Sequence, residues 1–200
     1  MATFVRSAVI AIAITMAQPG AGTAQPSAAT TDTIPSFRVE VLVAATTDFT
    51  VRLDAYSELR RRLESQLPAV TVTEDVRQLR RARRSLAQAI RSARPGAVQG
   101  EFFTPAISAQ VRLALAPLMD DAMCAVIMDD NPGGFTHAID GAYPDGKAFS
   151  TMPGLLLARL PELPADIQFR FIGRHLILYD VRANTIVDRM PDAIRCTRDN

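Results

Sequence analysis

The chain has 200 residues, of which 48% are hydrophobic, and a formal net charge of +1. This length is sufficient for one compact core. A nearly neutral net charge does not by itself select a class of partner. We expect no nucleic-acid partner, because the export signal described next removes the chain from the compartment of nucleic acids.

The first residues have the pattern of a secretory signal peptide. Arg6 supplies a positive charge, and residues 7–17 form an apolar run that is too short to span a bilayer. Pro19 and Gly20 follow as helix breakers, and residues 22–24 are small, as signal peptidase requires before its cut. A buried N-terminal helix of a cytosolic protein is the alternative, but it does not explain why these features occur in this order.

The signal-peptide pattern sets the expected domain organisation. We predict a signal peptide at residues 1–24, a flexible linker at residues 25–35 and a single α+β domain at residues 36–200. No later segment is long and apolar enough to cross a membrane, so we expect no stable membrane insertion after cleavage. The predicted location is the periplasm or the outside of the cell.

The first half of the predicted domain is mostly helical. Residues 37–43 alternate at first and are β-branched, which predicts a short strand or an extended lead-in, and a strand here can join the later sheet. Apolar residues at helical spacing then predict a helix that ends before Pro68, with Arg60, Arg61 and Arg62 mostly on its solvent side. The apolar residues of this helix are Leu53, Tyr56, Leu59, Leu63 and Leu67.

Capping signals mark the next helices. Asp75 can cap a second helix that ends at Pro95, and its apolar stripe is Val76, Leu79, Leu86, Ile90 and Ala93. Thr104 can cap a third helix that runs to about Ala116. Asp120 can start a short fourth helix through Met128, which is apolar enough to be buried. We therefore expect three or four helices before residue 130.

The second half of the domain predicts a loop and a small sheet. Residues 129–154 are rich in Gly, Pro, Asp and Asn, and a loop of this length is often functional. Residues 167–172, 175–179 and 185–188 are β-rich and separated by short turns, which predicts an antiparallel meander. The predicted fold class is α+β, with helices first and the sheet last.

The C-terminal stretch, residues 163–188, carries a family resemblance. Its Pro-rich approach, aromatic strand, Gly-containing turn and apolar strand resemble the terminal hairpin of small periplasmic proteins associated with nickel and cobalt homeostasis. This resemblance does not assign a metal ligand of those proteins to any residue of this chain. The whole mature chain, including residues 129–132 and 143–146, also resembles uncharacterised exported bacterial proteins, which implies a compartment and no activity.

The charges are unevenly distributed along the chain. Residues 52–94 contain eleven arginines and five acids, whereas residues 96–200 contain nine basic residues and thirteen acids. The basic half is a candidate site for an anionic partner, with four arginines of the second helix as its centre: Arg77, Arg80, Arg81 and Arg84. The alternative is that these arginines only solvate the outer faces of helices.

The chain has two cysteines, Cys124 and Cys196. An oxidising compartment permits a disulfide between them. Cys124 lies in an apolar stretch, however, and a buried free thiol is equally compatible with the sequence.

One cluster of polar residues is a candidate metal site. His137 lies in the loop with three acids, Asp129, Asp130 and Asp140, and an imidazole with carboxylates can bind a divalent metal or act as acid and base. The alternative is that these acids form turns and helix caps.

The sequence has no nucleophile elbow, phosphate-binding glycine loop or Cys-x-x-Cys pair. We therefore expect a non-enzymatic binding or structural module of the cell envelope, whose partner is an envelope protein or an anionic envelope component. The alternative is a metal-binding protein or metal-dependent enzyme that uses the loop. No cofactor other than a divalent metal is indicated.

Overall fold

The structure is a computed structural model that describes residues 36–68, 75–135 and 138–196. The predicted signal peptide and linker lie outside the described residues. The helices are α1 (Ser36–Ser65), α2 (Val76–Ala93), α3 (Pro105–Leu115), α4 (Asp121–Asp129) and the short α5 (Gly154–Leu157), with a 3₁₀ turn at Ala116–Leu118. The strands are β1 (Gly141–Ala142), β2 (Ile167–Ile172), β3 (His175–Asp180) and β4 (Thr185–Met190). The predicted α+β fold, with a helical first part and an antiparallel meander, is confirmed.

The sheet has the strand order β1-β4-β3-β2, and all neighbours are antiparallel. Strands β2 and β3 form a hairpin that closes at the pair Ile172 and His175. Gly173, the first turn residue, has a φ of +56°, a left-handed conformation that glycine adopts without a steric penalty. The turn therefore sets the register of the hairpin.

The predicted strand at residues 37–43 is wrong, because these residues form the beginning of α1. Val41 and Val43 are exposed, so they make no sheet contact that would favour a strand. Residues 37–43 therefore adopt the helical conformation of the rest of α1. The fourth strand comes from the loop instead, where Gly141 pairs with Ile186 and Ala142 with Thr185.

The main core lies between the helices and one face of the sheet. Phe49 of α1 stacks on Phe169 of β2, with ring centroids 6.5 Å apart, and Phe103 packs against both rings. The fully buried side chains include Leu53, Ile107, Leu115, Ile127, Leu156, Phe171, Leu176 and Leu178. Burial of this apolar surface is the main force that holds α1 and α3 on the sheet.

A buried carboxylate fixes the entry to α3. The Asp188 carboxylate, in β4, accepts hydrogen bonds of 2.8 Å from the backbone N–H groups of Gly100, Phe102 and Phe103. The predicted capping bond of Thr104 is absent, although Pro105 does occupy the first turn of the helix. The helix entry is thus bound to the sheet by Asp188.

The short helix α4 begins as predicted but is only partly buried. Asp120 caps it by accepting a hydrogen bond of 2.7 Å from the N–H of Met123. Of its residues, only Cys124 and Ile127 are buried, whereas Val126 and Met128 are exposed. The prediction of an entirely buried helix is wrong, because one face of α4 has no packing partner in the described part of the chain.

Cys124 and Cys196 form a disulfide, with Cα atoms 5.7 Å apart. It joins α4 to the segment that follows β4, so the disulfide alternative is confirmed. A disulfide is compatible with an extracellular or periplasmic location.

All of the described residues belong to one compact unit. None of the helices in residues 36–68, 75–135 and 138–196 combines the length and the apolarity that a membrane span requires.

Candidate functional site

The first half of α2 lies outside the core. Its N-cap, Asp75, accepts a hydrogen bond of 2.8 Å from the N–H of Arg77, as the sequence predicts. Residues 76–81 are all exposed, and the buried residues of the helix begin only at Leu86. The sequence predicted one continuous buried stripe, but Val76, Leu79 and Ala93 are exposed.

The four predicted partner-binding arginines share one face of this exposed segment, which we call the arginine face: Arg77, Arg80, Arg81 and Arg84. Their spacing of three and four residues places them side by side on the helix, and all four are exposed. Helix α2 as a whole contains six arginines and no acid.

The arginine face is largely without carboxylate partners. The guanidinium of Arg77 lies 3.8 Å from the Asp75 carboxylate and is highly exposed. Within the described ranges, no ion pair or hydrogen bond involves the side chain of Arg80, Arg81 or Arg84. Like charges at this spacing destabilise a helix by roughly 0.2–0.5 kcal/mol per pair. This repulsion lowers the stability of the helix, and the exposure of the four arginines fits both a binding site and the alternative that they only solvate the helix.

Other arginines of the chain are strongly paired. Arg60 is only 3% exposed, so the prediction that it lies on the solvent side of α1 is wrong. Its guanidinium lies 2.7 Å from the Asp166 carboxylate and 3.4 Å from those of Glu64 and Asp180. These pairs balance the charge that would otherwise oppose the burial of Arg60.

A second arginine that is largely enclosed, Arg94, follows α2, and its side chain is 9% exposed. Its guanidinium contacts the carboxylates of Asp140 at 2.5 Å and Glu101 at 2.7 Å. It also lies over the rings of Tyr56 and Phe102, at 5.2 and 5.4 Å from their centroids. The end of α2 is thereby held against α1 and the loop that precedes β1.

Tyr56 connects the two arginine clusters. Its hydroxyl donates a hydrogen bond of 2.8 Å to the Asp180 carboxylate, while its ring faces Arg94. Burial raises the pKa of Asp180 and raises that of Tyr56 well above its usual value. Burial also raises the pKa of Asp140 to about 6, although Arg94 lowers it. Perturbed groups of this kind occur at functional sites and also in structural ion-pair networks. Here Tyr56, Asp140 and Asp180 join α1, the loop that precedes β1 and strand β3 inside the protein, which is a structural role.

The acids of the predicted metal site are held in different ways. Asp129 is the exposed last residue of α4, and the Asp130 carboxylate accepts a hydrogen bond of 3.3 Å from Thr151. Asp140 is buried against Arg94, and His137 lies outside the described residues. Among the residues that the structure describes, no three His, Cys, Asp or Glu side chains are grouped so that they could hold a metal ion. A metal site that includes His137 stays a prediction.

Much of the loop is bound to the second face of the sheet. Tyr143 stacks on Phe149 with centroids 4.4 Å apart and contacts Tyr179 of β3. The side-chain amide of Asn131 exchanges hydrogen bonds with the backbone N–H and C=O of Gly173, at 2.7 and 2.9 Å. These contacts fit the alternative in which the polar residues of the loop stabilise turns.

A cavity of about 540 Å³ lies beside the outer edge of β2, between this strand and the segment that contains α5. Its wall is mostly apolar and includes Leu160, Leu163 and Phe169. The hydroxyl of Ser150 bonds to the N–H and C=O of Phe171, so part of this sheet edge is already occupied. Glu162 and Arg170 both line the cavity and carry opposite charges, so the charge of the wall does not favour either an anionic or a cationic ligand.

The buried acids Asp180 and Asp188 were not predicted from the sequence. The available signal was their position in otherwise apolar strands, where a buried carboxylate requires several hydrogen bonds. Their partners come from distant segments, such as Tyr56 and Gly100, and spacing along the chain does not reveal them.

Comparison of the chain with protein-family models, curated proteins and solved structures gives no match. The resemblance of residues 163–188 to the periplasmic nickel and cobalt proteins stays a prediction. The arginine face is the described feature whose chemistry points most directly to a ligand.

Proposed function

We propose that this chain is an exported, non-enzymatic binding module of the cell envelope, and that the arginine face binds an anionic envelope component. The observation that carries the proposal is the exposure of four neighbouring arginines, three of which have no partner in the described ranges. By contrast, Arg60 and Arg94, whose side chains are largely enclosed by the fold, each meet a carboxylate at 2.7 Å or less.

Export is a separate part of the proposal. The signal-peptide pattern of residues 1–24 motivates it, and the disulfide is compatible with it. Expression of the full chain in a bacterium, followed by fractionation and mass spectrometry of the product, tests this part. We expect a periplasmic product that begins near Gln25, and an uncut cytoplasmic product would contradict export.

The binding part is tested with two anionic probes, immobilised heparin and vesicles that contain phosphatidylglycerol. We expect the chain from Gln25 onward to bind at least one of them at low salt and to dissociate as salt screens the charges. The double variant R80E/R84E should lose this binding. The matched control K147E/R159E makes the same charge change at two exposed positions elsewhere and should retain most of it. Equal losses in both variants would show that only net charge matters and would contradict a site on α2.

A further inference from the structure

The exposed segment of α2 carries an apolar pair as well as the arginine face. Val76 is 58% exposed and Leu79 is 41% exposed, although both continue the stripe that becomes buried at Leu86 and Ile90. One side of the helix is thus in the core over its second half and in solvent over its first half. The exposed apolar pair lies next to the arginine face, because Arg80 follows Val76 by four residues, which is the spacing of neighbours on a helix.

From this arrangement we infer that the partner of the arginine face is the surface of an anionic lipid bilayer, which the exposed N-terminal turns of α2 contact with Val76 and Leu79 inserted below the headgroups. The inference rests on the proposed function and specifies its partner. A helix that binds in a membrane interface has basic residues on its polar face and aliphatic residues on the opposite face. Residues 76–84 combine both, α2 itself contains no acid, and the N-cap carboxylate of Asp75 lies beside Arg77.

Charge alone does not distinguish a bilayer from an anionic polysaccharide, but the apolar pair does. A polysaccharide would leave Val76 and Leu79 in water, whereas a bilayer removes their apolar surface from water as the arginines meet the headgroups. Each arginine close to an anionic membrane strengthens binding by roughly fivefold. Four arginines and two aliphatic side chains are therefore sufficient for reversible attachment without a membrane-spanning segment.

The main experiment compares vesicles of phosphatidylcholine alone with vesicles that also contain phosphatidylglycerol, in a flotation assay. We expect binding only to the anionic vesicles. The variant V76S/L79S should weaken vesicle binding by about tenfold or more and leave heparin binding unchanged. The matched control V98S/L155S removes an exposed Val and an exposed Leu elsewhere and should bind as the parent does. Circular dichroism of each variant verifies that it is folded.

A second measurement does not depend on loss of binding. The chain contains no tryptophan, so Leu79→Trp introduces a single fluorescent reporter at the proposed contact. Its emission should shift to shorter wavelength with anionic vesicles and be quenched by bromine-labelled acyl chains, whereas Leu155→Trp should show neither effect.

The outcomes separate the two proposals. Two results would overturn the lipid inference and leave the arginine face as a site for another polyanion. The first is binding to heparin without binding to vesicles. The second is vesicle binding that V76S/L79S leaves intact, together with an unshifted Leu79→Trp emission. If neither probe binds the chain at low salt, the proposed function itself fails.

Discussion

The hydroxyl of Tyr56 on α1 donates a hydrogen bond of 2.8 Å to the carboxylate of Asp180 at the end of β3, and both residues are buried. The two are separated by 124 positions in the chain. The same carboxylate accepts the N–H groups of Arg182 and Ala183 and lies 3.4 Å from Arg60. This one acid therefore connects the first helix, the third strand and the turn that follows it.

Removal of the Tyr56 hydroxyl should destabilise the fold. Tyr56→Phe retains the ring that faces Arg94 but leaves one oxygen of a buried carboxylate without its donor. We expect a loss of roughly 1.5–3 kcal/mol in the free energy of unfolding, measured with urea. A double-mutant cycle with Asp180→Asn should show coupling, and strictly additive losses would contradict a direct role for this bond.

The stability should depend on pH through Asp140. Its pKa in the fold, about 6, lies above the ordinary aspartate value of 3.8, so the folded state binds the proton more tightly than the unfolded state. Its contribution is fully present below pH 3.8 and is lost as the pH rises through 6. The total change is about 3 kcal/mol at most.

The test of this pH dependence is the variant Asp140→Asn, which cannot titrate at this position. As the pH rises from 4 to 7, the free energy of unfolding of the parent protein should fall relative to that of the variant, as measured by urea unfolding at each pH. The other acids titrate in both proteins, so their effects largely cancel in the difference. Arg91, Arg94 and Glu101 face this carboxyl and stay in both proteins. A constant difference across this range would refute the raised pKa.

The disulfide should contribute strongly to stability. It links residues 72 positions apart, and closing a loop of this length stabilises a fold by roughly 4 kcal/mol in the chain-entropy model. The double variant C124A/C196A should lose about this much in urea unfolding. Thiol titration of the unfolded parent protein should find no free thiol before reduction and two after it. Two thiols without reduction would contradict the bridge.

Asp188 should be required for the position of α3. Asp188→Asn keeps one side-chain acceptor but replaces the other oxygen with an amide donor, which faces backbone N–H groups that also donate. We expect a loss of roughly 2–4 kcal/mol in the free energy of unfolding. Asp192→Asn, at an exposed position after β4, is the control and should change stability by less than about 0.5 kcal/mol. Similar losses in both variants would argue against this role.

Local signals in the sequence predicted many of the elements. Asp75 and Asp120 cap helices where the sequence places caps, and the turn at Gly173 joins the two strands that were expected on either side of it. These features depend on interactions within a few residues, so they can be predicted without the tertiary structure. The same holds for the arginine face, because the helical period alone places its members together.

Other features followed from contacts between distant segments. The valines of residues 37–43 favour a strand by composition, yet no sheet edge receives them and they continue a helix. Arg60 is buried because Asp166 and Asp180, both more than one hundred positions away, meet it in the fold.

By itself, the sequence determined that the main helices precede the three strands of the meander, the basic character of α2 and the presence of two cysteines able to pair. Only the tertiary structure decided that the stripe of α2 is buried from Leu86 onward but exposed at Val76 and Leu79, and that Asp140 bonds to Arg94. The physical reason is that periodicity shows which residues share a face of a helix, whereas burial depends on whether another element covers that face. For α2, the described part of the chain covers only its second half.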